Sequence, residues 1–345
     1  MPLNPEEWVS LHIFYAADSN PLLTDCVGPL VAQLRDARLI ERWFFIRYWL
    51  EGPHVRLRLL PSSGAADEVR QRAREALGQF LARRPALWEP ETEDAGDMYK
   101  SMFLAEYTQE EWNARYGASD RMIFQPNNSV QEIAYEPEFN RYGGPDGIEP
   151  AERHFECSSD TVIRLLGTTN AHVRPVLLGL SIQLMLGLAR TFLESDDAVG
   201  RFFLRYRLSW ESRYDSPSDI HHAKFDQSLL QSRDGLLNRI DEIKAAITGK
   251  GRRDDFRTGW IEHAVELRSR IEDLTNRGRL AFGDDRQELL DPSVVLQILL
   301  TSYIHMTNNR LGVLIHDEIY LSYVISKVLG VDQVVAEPAG LPAHG

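Results

Sequence analysis

Residues 43–58 read Trp-Phe-Phe-Ile-Arg-Tyr-Trp-Leu-Glu-Gly-Pro-His-Val-Arg-Leu-Arg. Two apolar, aromatic-rich runs flank the turn signal Leu50-Glu51-Gly52-Pro53, a pattern that specifies a β-hairpin. Successive strand side chains point to opposite faces, so Val55, Leu57 and Leu59 share one face while His54, Arg56 and Arg58 share the other. The apolar face demands a covering layer. The other face lines up two guanidiniums and an imidazole, an arrangement suited to a carboxylate or a phosphate. The plain alternative is an exposed sheet face dotted with positive charge.

Around this hairpin the first half of the chain reads strand–helix–strand–strand–helix: a strand over Trp8–Tyr15, an amphipathic helix over Leu22–Ala37, the hairpin, and a polar helix over Asp67–Arg83. That order predicts an α+β fold, with an N-terminal mixed β-sheet and helices packed on one face. Residues 86–125 read as irregular and rich in charge and aromatics, with Tyr107–Arg121 as a candidate flexible insertion or lid. Beyond about residue 150 the pattern turns helical, near 149–167, 171–193, 197–210, 217–247, 256–277, 292–309 and 312–329. Asp291 as N-cap and Pro292 at the first helical position mark the start of one of these. The expected division is a sheet part over 1–148, a helical part over 149–330 and a disordered tail over 331–345, together one continuous functional unit.

The chain has 345 residues, 43% hydrophobic and 26% charged, the composition of an ordinary globular protein with a real core. A net charge of −13 and the lack of a long basic groove argue against nucleic acid as a direct partner. The apolar segment Pro175–Ala189 is short and interrupted by Gly179, Ser181, Gln183 and Gly187, which predicts a buried helix and no membrane span. Cys26 and Cys157 lie far apart in no redox or metal motif, and the N-terminus lacks a signal-peptide pattern, so a cytoplasmic location is expected. His221-His222 has no third ligand at metal spacing, and neither a P-loop nor a dinucleotide fingerprint occurs, so neither metal nor cofactor is expected.

Two further stretches carry chemistry. Tyr135-Glu136-Pro137-Glu138-Phe139-Asn140-Arg141-Tyr142-Gly143-Gly144-Pro145 ends on glycines that permit positive φ and could aim Arg141 and Tyr142 into a cleft. The plain alternative is a joining turn whose Arg141 pairs with Glu138 or Glu136. In Leu299–Arg310 a strongly apolar helix turns polar, and His305 and Asn309, four apart, share a face. An imidazole there suits proton transfer near neutral pH, or else a hydrogen-bonded core histidine. His12 alternates with apolar residues in the first strand and could face the arginines.

Taken together, Leu11–Tyr15, Trp43–Tyr48, Gly52–Arg58, Tyr135–Gly144 and Ser302–Met306 with Asn309-Arg310 resemble, in order, the C-terminal elimination domain of class I lanthipeptide (lantibiotic) dehydratases, which also occurs alone in thiopeptide biosynthesis. The resemblance covers most of residues 8–330, although the stretch from Leu60 to Tyr135 is longer than is typical of fused elimination domains. It implies a lyase that removes glutamate from glutamylated Ser or Thr of a ribosomally made precursor peptide, leaving dehydroalanine or dehydrobutyrine. It further implies a precursor peptide bearing a leader and a separate tRNA-dependent glutamylating enzyme as partners. Arg56, Arg58, Arg141 and His305 would be catalytic, with His54, Arg47, Tyr142, Asn309 and Arg310 binding substrate. A sister branch of the fold forms the thiopeptide pyridine ring by a formal [4+2] cycloaddition with leader release, and a non-catalytic peptide-binding scaffold is the alternative of another class. The apolar aromatic face of the first sheet leaves room for a homodimer.

Overall fold

The computed structural model describes residues 7–88, 92–213, 218–248, 256–282 and 291–331. They fall into two compact units, one ending at Pro137 and the other beginning at Glu138. The expected tail lies beyond the described residues from position 332 on.

In the first unit, strands β1 (Val9–Phe14), β2 (Ile40–Tyr48), β3 (His54–Pro61) and β4 (Ser129–Glu132) form a sheet in the order β2-β3-β1-β4. The α+β class is as read from sequence. Every pairing is antiparallel, however, so the sheet is not mixed. Registers Ile13↔Val55, Leu11↔Leu57, Trp43↔Leu59 and Phe45↔Leu57 gather the apolar side chains of three strands on one face. Leu11, Phe45, Leu57 and Leu59 are wholly buried there. On the chain's way between β1 and β2, α1 (Asn20–Leu22), a π-helical turn (Leu23–Val27) and α2 (Gly28–Asp36) run on as one stretch. With α3 (Ala66–Arg83) they turn Leu30, Val31, Leu34, Val69, Ala73 and Leu77 inward.

Much of the stretch 86–125, read as irregular from sequence, is helical among the described residues. It forms α4 (Thr92–Glu106) and α5 (Gln109–Tyr116), the second opened by a capping box in which Thr108 and Glu111 satisfy each other's backbone N–H groups. Phe103 and Trp112 are fully buried against Leu50, Tyr116 and Met122, a small aromatic core beneath the hairpin turn. Such side chains contribute about 1.5–3 kcal/mol each on full burial, enough to hold the helix pair on the sheet unit as an ordered element. Glu51 and Gly52 adopt positive φ, +61° and +113°. The strained Glu51 is fixed by Tyr116, whose hydroxyl donates to Oε1 at 3.0 Å, and by Gln125, whose amide donates to Oε2 at 2.9 Å.

The second unit is helical: α6 (Phe139–Tyr142), α7 (Ile148–Thr168), α8 (Arg174–Phe192), α9 (Asp196–Arg213), α10 (Ser218–Ile247), α11 (Phe256–Asn276), α12 (Pro292–Leu311) and α13 (Ile315–Val328). Asp291 caps α12 as expected, accepting from Ser293 N–H at 2.8 Å. The last helix starts three residues later than the sequence reading because Gly312, at φ +89°, ends α12 in the left-handed conformation. By length and composition alone α8 could cross a membrane, yet most of that window is buried inside this unit.

Gly143 and Gly144 have φ of +84° and +87°, as the double glycine predicts, and together they end α6. A Cβ on Gly143 would lie 3.1 Å from the Phe282 ring and 3.2 Å from Leu280. Gly143→Ala is therefore expected to cost about 1–3 kcal/mol and to lower the midpoint of urea unfolding. An unshifted midpoint would show that the turn carries no constraint.

Candidate active site

In the sheet unit the polar face is built from three strands. His12 pairs with Arg56, and Phe14 with His54, while Arg56 and His54 also pair with Ile46 and Tyr48 of β2. Alternation therefore sets His12, His54, Arg56 and Arg58 on one face. Arg47, opposite Val55, belongs to the other face. Its guanidinium donates to Ser19 Oγ at 2.5 Å and Asn20 Oδ1 at 2.7 Å, which ties β2 to the start of α1.

The two histidines fix the two arginines without cancelling their charge. The Gly52 carbonyl can only accept, so His54 Nδ1, 2.9 Å from it, carries the ring proton and leaves Nε2 to accept from Arg56 Nε–H at 3.2 Å. Arg58 Nη2 donates to His12 Nε2 at 3.0 Å, so His12 is an acceptor in the same sense. The imidazoles stack at 5.0 Å. Burial above all, then the neighbouring guanidiniums, lowers His54 to about 4 and His12 to about 2, so both rings are neutral at physiological pH. Among the described residues neither Arg56 nor Arg58 is paired with a carboxylate. Arg58 is only 4% exposed, and its Nε–H and Nη1–H groups are buried without a hydrogen-bond partner. Burial and the charge of Arg56 pull it down to about 9, so it stays protonated at neutral pH. A doubly positive cluster, Arg58 buried and Arg56 half-buried, held by neutral acceptors is costly unless an anion completes it.

In the helical unit Arg141 reaches the helix that carries His305. Arg141 Nε donates to Ser302 Oγ at 3.2 Å, and Ser302 stands one turn before His305 on α12. Arg141 also meets Glu138 at 3.2 Å, so the plain pairing considered from sequence is present as well. His305 Nδ1 lies 3.0 Å from Glu318 Oε1, and its ring packs at 4.9 Å on Trp210. Glu318 is wholly buried, and its second oxygen accepts from the Tyr206 hydroxyl, whose pKa is raised by burial and by that carboxylate. A carboxylate facing Nδ1 fixes the proton there and leaves Nε2 as the atom able to take or give one.

The other expected site residues are placed as follows. Tyr142 is buried and stacks on Tyr303 at 6.0 Å. Arg310 is fully buried, donates to its own helix at Met306 O at 2.8 Å and lies over Phe155 at 4.7 Å. Asn309 is half-buried, one turn beyond His305. The side chains of His221 and His222 lie outside the described residues. The sequence reading missed Glu318, Tyr206 and Tyr48. For Glu318 a signal existed: an acid inside the apolar run of α13.

Residues 8–329 match the family model described as lantibiotic biosynthesis dehydratase, C-terminal. The chain belongs to this family. No curated protein matches it. Among solved structures it is similar to the pyridine synthase TbtD from thiomuracin biosynthesis, with a TM-score of 0.73 and 16% identity over 93% of this chain and 97% of that one. TsrL is similar with a TM-score of 0.60 and 17% identity, covering 93% and 94% of the two chains. The tRNA-dependent lantibiotic dehydratase MibB from Microbispora sp. 107891 matches 95% of this chain but 28% of its own length, with a TM-score of 0.50 and 18% identity. At such identities the likeness fixes the fold of the family member, not its reaction.

Buried neutral imidazoles recur in the helical unit. His154 Nδ1 contacts His263 Nε2 at 3.1 Å, with burial holding His263 near 4 and His154 well below its usual value. As pH falls below about 6.5 the unfolded chain takes protons that these folded rings refuse, so stability is lost from about pH 6.5 down to 4 and further for His12. The loss is expected to be on the order of 1–2 kcal/mol per buried histidine at pH 5. Denaturant melts at pH 7.5 and 5.0 measure it, and equal stabilities would refute the neutral assignment.

Proposed function

We propose that this chain eliminates glutamate from glutamylated Ser or Thr of a ribosomal precursor peptide, leaving dehydroalanine or dehydrobutyrine. A base removes the Cα proton, the electron pair forms the Cα=Cβ bond, and the Cβ–O bond breaks so that glutamate departs as a carboxylate. His305, oriented by Glu318, takes the proton and returns it to solvent or product. Arg56 and Arg58 hold carboxylate charge on the glutamyl adduct, and Arg141 stabilises charge that builds during elimination. His12 and His54 serve as neutral acceptors that orient the arginines. Arg47, Tyr142 and Arg310 support the scaffold rather than touch substrate. The observation that carries this reading is the Arg56–Arg58 pair, fixed by uncharged imidazoles and lacking any described carboxylate. A β-elimination that expels an anion needs such a grip.

In this reading a tRNA-dependent glutamylating enzyme acts on the peptide first. The substrate is a peptide with its leader, and the reaction runs in the cytoplasm. A second reading, formal [4+2] pyridine formation with leader release, is favoured by the full-length likeness to TbtD. One experiment separates them. Purified protein is given a peptide carrying glutamylated serine and, in parallel, a peptide carrying two dehydroalanines. Mass loss of glutamate from the first supports elimination. Leader release with pyridine absorbance from the second, and no change in the first, replaces it with the cycloaddition.

A further inference from the structure

The helix pair α4–α5, which the sequence left unplaced, reaches the basic face through two phenols. Arg56 lies over the Tyr48 ring, its Cζ 3.6 Å from the centroid, close enough for a cation–π contact. The Tyr48 hydroxyl is hydrogen-bonded to the hydroxyl of Tyr107, in the short link between α4 and α5. Tyr107 is itself held by Phe103, stacked at 4.6 Å, and by Arg115 at 5.4 Å over its ring. Tyr48 also meets His54 edge-on at 5.7 Å, and His54 accepts from Arg56 Nε. The guanidinium is thus fixed along one edge by an imidazole and across its face by a phenol, and the phenol is anchored by the inserted helices.

We propose that Tyr107 is a positioning residue for Arg56, so that α4–α5 sets the aim of the sheet's anion-binding arginines through the Tyr107–Tyr48–Arg56 chain. This rests on the elimination reading for its kinetic consequence but not for its geometry. Guanidiniums held by a ring face and one hydrogen bond keep two Nη groups directed outward, a fixed fork for a carboxylate. Loss of the phenol–phenol bond leaves the Tyr48 ring able to turn, and the fork turns with it.

The test uses Tyr107→Phe in the full chain, with Tyr48→Phe as a second variant that keeps the ring face. Tyr107→Phe is expected to lower kcat for glutamate release about three- to tenfold, the equivalent of one neutral hydrogen bond, with KM changed by less than about twofold. In an Arg56→Ala background the same substitution is expected to change nothing further, because its effect passes through Arg56. Independently of turnover, the Arg56 Nε–H signal in a proton–nitrogen NMR spectrum, assigned by its loss in Arg56→Lys, is expected to broaden or exchange faster in Tyr107→Phe. If the wild type releases no glutamate, the elimination reading fails and the NMR arm still decides the positioning proposal. An unmoved Arg56 signal, or a kinetic loss that persists undiminished without Arg56, overturns it.

Discussion

Methionine in place of Arg58 is expected to raise thermal stability while slowing glutamate release by about 10²–10³. The two effects have one cause. Arg58 is 4% exposed, and among the described residues two of its nitrogens are buried without a hydrogen-bond partner while the third meets a neutral imidazole. Replacing an uncompensated buried cation by an apolar side chain of similar length removes its desolvation cost, and the gain outweighs the acceptor left idle on His12 Nε2 by an expected few degrees in Tm. The rate falls because the site loses a charge aimed at the departing carboxylate. Arg56→Ala and Arg141→Ala are expected to show kinetic losses of the same order with peptide affinity changed far less, as befits interactions that strengthen in the transition state. Scanning calorimetry and a mass-spectrometric time course on a glutamylated peptide measure both quantities for Arg58→Met. Lower stability with full activity would mean that Arg58 is a structural brace and that the anion site is misassigned.

Alanine at His305 is the second large effect, expected to reduce turnover by about 10²–10⁴, the usual worth of a positioned acid or base. Peptide binding should persist, since the ring is held by Glu318 and Trp210 within its own unit. Glu318→Gln should fall between wild type and His305→Ala, because the carboxylate that fixes the Nδ1 proton and orients the ring is lost. His12 and His54, held near 2 and 4 by burial, contribute no limb to the rate profile between pH 5 and 9. Full activity in His305→Ala, or in Glu318→Gln, would remove His305 from the proton-transfer role.

Much of the fold was legible because the signals were local. The hairpin turn, the alternation along β3 and the helix spacing beyond residue 150 each follow from side chains close in sequence, and the observed elements agree within a few residues. Strand β4 escaped notice because Ser129–Glu132 is short and polar, as suits an edge strand. The α4–α5 pair escaped because its aromatics, among them Phe103 and Trp112, form a small core of their own whose meaning depends on contact with Leu50. At the site, alternation sufficed to align Arg56 and Arg58. Their neutral holders were not readable, since the tautomer of His54 is decided by a carbonyl two residues away and that of His12 by a guanidinium on another strand. Glu318 was overlooked because its role exists only through packing of α13 on α12 and α9.

The paired guanidiniums also sit within a chain of net charge −13. At a distance an acidic substrate meets a repelling exterior, and only within a few ångströms does it feel the two arginines. Added salt shortens the reach of the outer field, to about 10 Å at 0.1 M, while a buried pair is shielded far less. Ionic strength should therefore ease approach without loosening the grip, the reverse of what a basic, surface-steered enzyme would display.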